Sequence, residues 1–240
     1  MNIQNSIISN IELETLNIYN NIYNLNVSYC RKLKIINIEN NITELHISNC
    51  KILTTINNAE CIRKLIIYDC DFAYDIIKCC KNIEYLELNH CNNIVSIPDN
   101  LINLNSIILS FCSLLKFISK ALIAIKSIKI IHCMSLRNIP NTFINLENIY
   151  IHNGRIHMIN IPENLINIKI LSLDNYNNVY NIIKSFINLE ELNLNNCEDI
   201  KTIPEQLKKL NKLYINNSDI EIIPKNINKI ILKNCKYIKQ

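Results

Sequence analysis

Apolar residues recur along this chain at an interval too long for any helix or strand period. Between Leu86 and Leu104 they stand at Leu86, Leu88, Cys91, Ile94, Ile97, Leu101 and Leu104, with Pro98 directly after Ile97. A shift of 21 residues gives Ile107, Leu109, Cys112, Leu115, Ile118, Leu122 (one place late) and Ile125. A second shift gives Ile128, Ile130, Cys133, Leu136, Ile139-Pro140, Phe143 and Leu146. A fixed period of this size marks a stack of like units, each too small to bury its own apolar face. The first position of the pattern falls at Leu25, Leu45, Leu65, Leu86, Ile107, Ile128, Ile149, Leu171, Leu192, Leu213 and Ile230. No linker, charge block or low-complexity run interrupts the series. It predicts one repeat domain over 22–240, of ten to eleven repeats of 20–22 residues, preceded by a capping segment over 1–21.

Within each unit the LxL core predicts a short strand with alternate side chains inward. The LxxI stretch that follows predicts an irregular or 3-10 return. All five prolines, Pro98, Pro140, Pro162, Pro204 and Pro224, share one slot on that return, where a missing N–H is harmless. Ile77 and Ser119 take the slot in the third and fifth repeats, and VYNIIKSFINL in the eighth predicts one or two helical turns. Upstream, TLNIYNNIYNLNV alternates on both sides of Asn20-Asn21 and predicts a hairpin shielding the first repeat. Downstream, Lys233, Lys236 and Lys239 would blunt an exposed edge. The repeats around Gly154, where the interval gains a residue, are expected to be the most adjustable joint.

Eleven cysteines would suggest a disulfide scaffold, but eight occupy one slot: Cys30, Cys50, Cys70, Cys91, Cys112, Cys133, Cys197 and Cys235. Gly154 and Ser218 replace the slot cysteine. In stacked strands such thiols lie roughly 4.8 Å apart and parallel, a poor geometry for bridging. They read as reduced, buried small hydrophobes, which points to a cytoplasmic setting. Cys61 and Cys79 are expected to face outward, and Cys80 inward. The N-terminal residues lack the pattern of a signal peptide, and no apolar run is long enough to span a membrane. The asparagine, isoleucine and lysine bias reads as AT-rich coding. One glycine argues against phosphate-cradling loops, and a net charge of +4 implies no polyanionic partner by itself.

The template LxxLxLxxCxxLxxIPxxLxxL resembles the leucine-rich repeat, with cysteine where that family uses Asn or Cys. The composition and bare-repeat layout are similar to the leucine-rich-repeat gene family of insect poxviruses; plant disease-resistance receptors carry similar units. The resemblance implies an α/β fold: a right-handed solenoid with a curved parallel sheet on its concave face. Short turns, 3-10 or helical segments would form the convex face. It also implies a protein ligand held on the concave face.

No metal-ligand spacing and no Cys/His pair able to meet is present, so neither a cofactor, a metal site nor an enzyme is expected. The outward strand positions are those one, three and four after the first leucine. Read across the middle repeats they gather Tyr68, Glu87, His90, Ile108, Phe111, Lys129, Ile131, His132, Tyr150 and His152, the expected partner-binding patch. An apolar and aromatic cluster with a polar rim is the usual form of a protein-binding surface. Histidine in it would make binding sensitive to pH near neutrality. Later repeats supply mostly Ser, Asp and Asn. Two alternatives remain open: nucleic-acid binding through the lysines at 225, 229, 233, 236 and 239, and a cysteine-dependent enzyme. Sparse stacking aromatics argue against the first.

Overall fold

Every repeat opens with a strand because small sets of β-branched and leucine residues alternate with polar ones there, and only stacking buries them. A computed structural model describes residues 5–19, 22–39, 41–152 and 159–235. The described chain divides into two compact units, one reaching to Ile125 with Cys133–Leu136, the other comprising Lys126–His132 and the residues from Arg137 on.

The first unit contains β1 (Asn5–Ile8), β2 (Thr15–Ile18), β3 (Asn24–Ser28), β4 (Ile35–Ile38), β5 (Glu44–Ser48), β6 (Thr55–Asn57) and β7 (Lys64–Tyr68). Helix α1 (Ala73–Cys79) follows, then β8 (Tyr85–Asn89), β9 (Ser96–Ile97), β10 (Ser106–Ser110) and β11 (Phe117–Ile118). Strands β1, β3, β5, β7, β8 and β10 pair in parallel, with Leu25, Leu45, Leu65, Leu86 and Ile107 in one row. The second unit contains β12 (Ser127–Ile131), β13 (Asn148–His152), β14 (Ile170–Asp174), α2 (Val179–Ile183), β15 (Glu191–Asn195), β16 (Lys212–Asn216) and β17 (Lys229–Lys233). Its strands also pair in parallel, carrying Ile128, Ile149, Leu171, Leu192, Leu213 and Ile230 in one row. Each unit is thus a parallel-strand solenoid. The inward rows and the Leu/Ile slots of the return are almost entirely solvent-free.

The return side departs from the expected irregular coil. β2, β4 and β6 form a parallel three-stranded sheet, and β9 pairs with β11. TLNI, IINI and TIN carry a period of two, so Leu16, Ile36 and Ile56 point in and Asn17, Asn37 and Asn57 out. Helix α1 was not expected. Both helices lie in repeats that put isoleucine, Ile77 or Ile183, in the proline slot, which restores the N–H a helix needs. Ala73, Ile76, Ile77 and Cys80 give α1 a buried stripe at helical spacing.

Three further expectations are corrected. The strands flanking Asn20-Asn21 form no hairpin: β2 pairs with β4, β3 with β1, and all run parallel. The turn residues themselves lie outside the described residues. Ile230 is 42% exposed and Cys235 only half-buried, because β17 is the last strand in its row and nothing among the described residues covers it. Ser110, assigned to the outward face, is buried. The expected joint at Gly154, and the lysines at 236 and 239, lie outside the described residues.

Candidate binding face

The binding face is built from the way each strand stops. The residue four after the first leucine takes a left-handed backbone, with φ between 49 and 56° at Tyr29, Asn49, Asp69, His90, Phe111, His132, Asn175, Asn196, Asn217 and Asn234. Its N–H still donates to the next strand, as from Asp69 to the Asn89 carbonyl and from His90 to the Ser110 carbonyl. The chain then drops into the core, where the slot thiol donates back to the carbonyl two residues earlier. Those contacts are 3.4–3.6 Å at Cys30, Cys50, Cys70, Cys91, Cys112 and Cys197. Ser218 does the same with its hydroxyl, at 3.2 Å to the Asn216 carbonyl.

Asparagine and aspartate tolerate the left-handed region, but a bulky ring there strains the backbone by roughly 1 kcal/mol or more. His90 and Phe111 nevertheless occupy it, and with Tyr68 they form a continuous stack in the first unit. The Tyr68 and His90 centroids are 5.4 Å apart, tilted by 47°, and those of His90 and Phe111 are 4.7 Å apart at 19°. Tyr68 and Phe111 are each 41% exposed. The Asn89 side-chain oxygen lies 2.6 Å from His90 Nδ1 and fixes the ring's rotation. Beside the stack, Glu87 pairs in register with Ile66 and Ile108, all three half-buried. Glu87 accepts a 2.7 Å hydrogen bond from the Tyr85 hydroxyl; burial first, and then this carboxylate, push the phenol's titration up. His46, on the same face, is held below its ordinary value by burial first and then by Lys64.

The other half of the expected patch belongs to the second unit. Lys129 and Ile131 lie half-buried on β12, and His132 is exposed just beyond it. Tyr150 and His152 lie half-buried on β13; burial, with Glu191 second, raises the Tyr150 phenol. His152 Nδ1 stands 3.8 Å from an Asp174 oxygen.

Sequence reasoning placed Ser, Asp and Asn on the rest of this unit's face but missed how they are joined. Two amide ladders start at Asp174. Asn195 and Asn196 both donate to its Oδ1, at 2.6 and 3.0 Å; Asn216 then donates to Asn195 at 2.7 Å, and Asn217 to Asn196 at 2.9 Å. Ser172, Asn193, Asn195, Tyr214, Asn216 and Lys233 line a shallow cavity of about 350 Å³ there. The available signal was asparagine recurring at the repeat interval. Tyr176 was missed too: it fills the cysteine slot of its repeat, buried, and its hydroxyl both accepts from Ile159 N–H and donates to Ile159 C=O at 3.0 Å.

The buried thiols at Cys50, Cys70, Cys91 and Cys197 are not poised for chemistry. Burial pushes Cys50, Cys70 and Cys91 up to about 12 and Cys197 to about 11, whereas a nucleophilic cysteine needs the thiolate near neutral pH. Cys112 is raised by its hydrogen bond with the Cys133 thiol and then by burial. Among the described residues no three His, Cys, Asp or Glu side chains converge as metal ligands, and no helix is long and apolar enough to cross a membrane.

No protein-family model matches the chain, and no curated protein matches it. Among solved structures it is similar to an internalin, InlF, of Listeria monocytogenes, at 15% identity over 88% of this chain and 77% of that one, with a TM-score of 0.55. It is also similar to TLR13 in a complex with ssRNA13, at 13% identity and a TM-score of 0.49, over 95% of this chain but only 42% of that one. The internalin likeness shows the fold, a leucine-rich-repeat solenoid.

Proposed function

We propose that this protein is a non-enzymatic binding module whose sheet face receives a protein partner. One observation carries the reading: the exposed Tyr68–His90–Phe111 stack, with two rings held at backbone positions that other turns give mainly to asparagine or aspartate. Aromatic anchors supply large contact area at little conformational cost and dominate most protein interfaces. Ile108 and Glu87 on the neighbouring strands complete the proposed contact set of the first unit; Lys129, Ile131, His132, Tyr150 and His152 are a second proposed contact set, on the second unit's own face. The partner meets the protein in the cytoplasm: slot thiols that hydrogen-bond to backbone carbonyls serve as thiols, and a reducing compartment keeps them so. The resemblance to insect poxvirus repeat proteins makes a host protein the natural partner. The raised thiols disfavour the cysteine-enzyme alternative.

A photo-activated crosslinker placed at position 111, with position 187 on the return side as control, tests this in cytoplasmic extract. Ile187 is well exposed on the return side, at 53%. A discrete protein adduct from 111 and none from 187 is the expected result. The reverse pattern, or a nucleic-acid adduct from 111, would overturn the reading.

A further inference from the structure

We infer that the ring stack of the first unit is a receptor for an arginine side chain, so that the partner presents a cationic segment there. This rests on the preceding reading that the sheet face is the binding surface, and names what the face selects. The charges beside the stack are not balanced. Glu44, Asp69, Asp71 and Glu87 face two ammonium groups, Lys51 and Lys64. Lys64 is committed to Glu44 at 3.1 Å, and Lys51 to Asp69 and Asp71 at 2.6 and 3.3 Å. Among the described residues Glu87 is in no ion pair; its one hydrogen bond is the neutral phenol of Tyr85.

A half-buried carboxylate set between Ile66 and Ile108, beside exposed rings, asks for a cation with a flat, weakly hydrated surface. Guanidinium has that form: it stacks on aromatic faces while its edge donates two parallel hydrogen bonds to a carboxylate. An ammonium is a strongly hydrated point charge and makes only the second kind of contact. Glu87 and Asn89 are on one face two residues apart, about 7 Å along the strand, and His90 follows at its end; the carboxylate now turns back to the Tyr85 hydroxyl, and a change of its rotamer toward Asn89 lets one arginine reach rings and carboxylate together. The same imbalance repels a phosphate backbone and so disfavours nucleic acid on this half of the face.

The test is a titration of the full chain, ring-labelled on Tyr, His and Phe for NMR, with blocked pentapeptides carrying two arginines, two lysines or two citrullines, and with a short oligouridine. Arginine peptide should shift the Tyr68, His90 and Phe111 signals saturably, in the millimolar range. Lysine should bind roughly 5-fold weaker or less, citrulline more weakly still, and Glu87→Gln should weaken arginine about 5-fold without moving the ring signals of the free protein. Citrulline binding as well as arginine would overturn the cation claim while leaving the face as a binding surface. Absence of any arginine-induced ring shift would overturn it too, with the crosslinking result deciding separately whether the face binds protein. Ring shifts from oligouridine alone would overturn both.

Discussion

Removing the Tyr176 hydroxyl tests the idea that each repeat depends on what fills the slot below its strand. In Tyr176→Phe the ring stays, but the buried N–H and C=O of Ile159, each now paired at 3.0 Å, lose their partner. An orphaned buried backbone group costs roughly 1–3 kcal/mol. The cavity of about 260 Å³ lined by Ile159, Asn160, Tyr176 and Asn178 can admit water to both, so the loss should fall near the low end, at about 2 kcal/mol in all. Tyr176→Cys, which installs the residue used by most other turns, should cost more, about 3–5 kcal/mol, because it also empties the ring's volume. Urea denaturation gives the totals, and hydrogen exchange at the Ile159 amide gives the local effect, which matters because a solenoid can open piecewise. Tyr180→Phe, on an exposed ring, serves as control and should stay within about 0.5 kcal/mol. Burial raises the Tyr176 phenol above its usual range, so its contribution is full below about pH 10 and is lost as pH climbs beyond that. The gap between wild type and Tyr176→Phe should therefore narrow in alkali. An unchanged Ile159 exchange rate in Tyr176→Phe, or a Tyr176→Cys variant as stable as wild type, would refute the slot argument.

Thiol titration of the native protein at pH 8 should label Cys61, Cys79 and Cys235 and spare the buried slot cysteines; rapid labelling of Cys112 or Cys133 would contradict it. Because Cys50, Cys70 and Cys91 titrate at about 12 in the fold, denaturation midpoints should hold below pH 9 and fall steadily from there to pH 12. Tyr29→Asn should stabilise by about 1 kcal/mol, relieving a left-handed exposed ring; Phe111→Asn should gain the same but lose about as much ring stacking, leaving little net change in thermal midpoint. His46 is depressed by burial and Lys64, so its contribution is present above pH 6.5 and lost as pH falls below that; His46→Gln should flatten that part of the stability profile.

The solenoid was legible because its defining signal is long-range periodicity, and every inward row from Leu25 to Leu213 is buried as the spacing requires. The outward columns followed from the same register, which is why His90 and Phe111 meet as neighbours. What stayed hidden were features that repeat spacing does not encode. The left-handed strand end is a backbone property: Asn49, Asp69 and Asn196 suit it, but the side chains alone did not reveal it. Asparagine looked like coding bias, yet Asn17, Asn37 and Asn57 link across their sheet at 2.7 Å, and Asn167 and Asn188 donate to the Ile144 and Ile166 carbonyls of the preceding turn. Tyr176 escaped notice because a tyrosine in a cysteine slot breaks the pattern being read. The hairpin was a local reading of alternation, and tertiary pairing with β1 and β4 overrode it.

The most direct test of the binding face is the affinity of the partner captured at position 111 for three proteins: wild type, Phe111→Ala and Asn195→Ala. Loss of the Phe111 ring should weaken binding by about 1–2 kcal/mol, roughly 5- to 30-fold, with the thermal midpoint nearly unchanged. Asn195, engaged with Asp174 and Asn216 in the amide ladder, should matter little to binding. Wild-type affinity in Phe111→Ala together with lost binding in Asn195→Ala would place the partner on the second unit's cavity instead, and contradict the assignment.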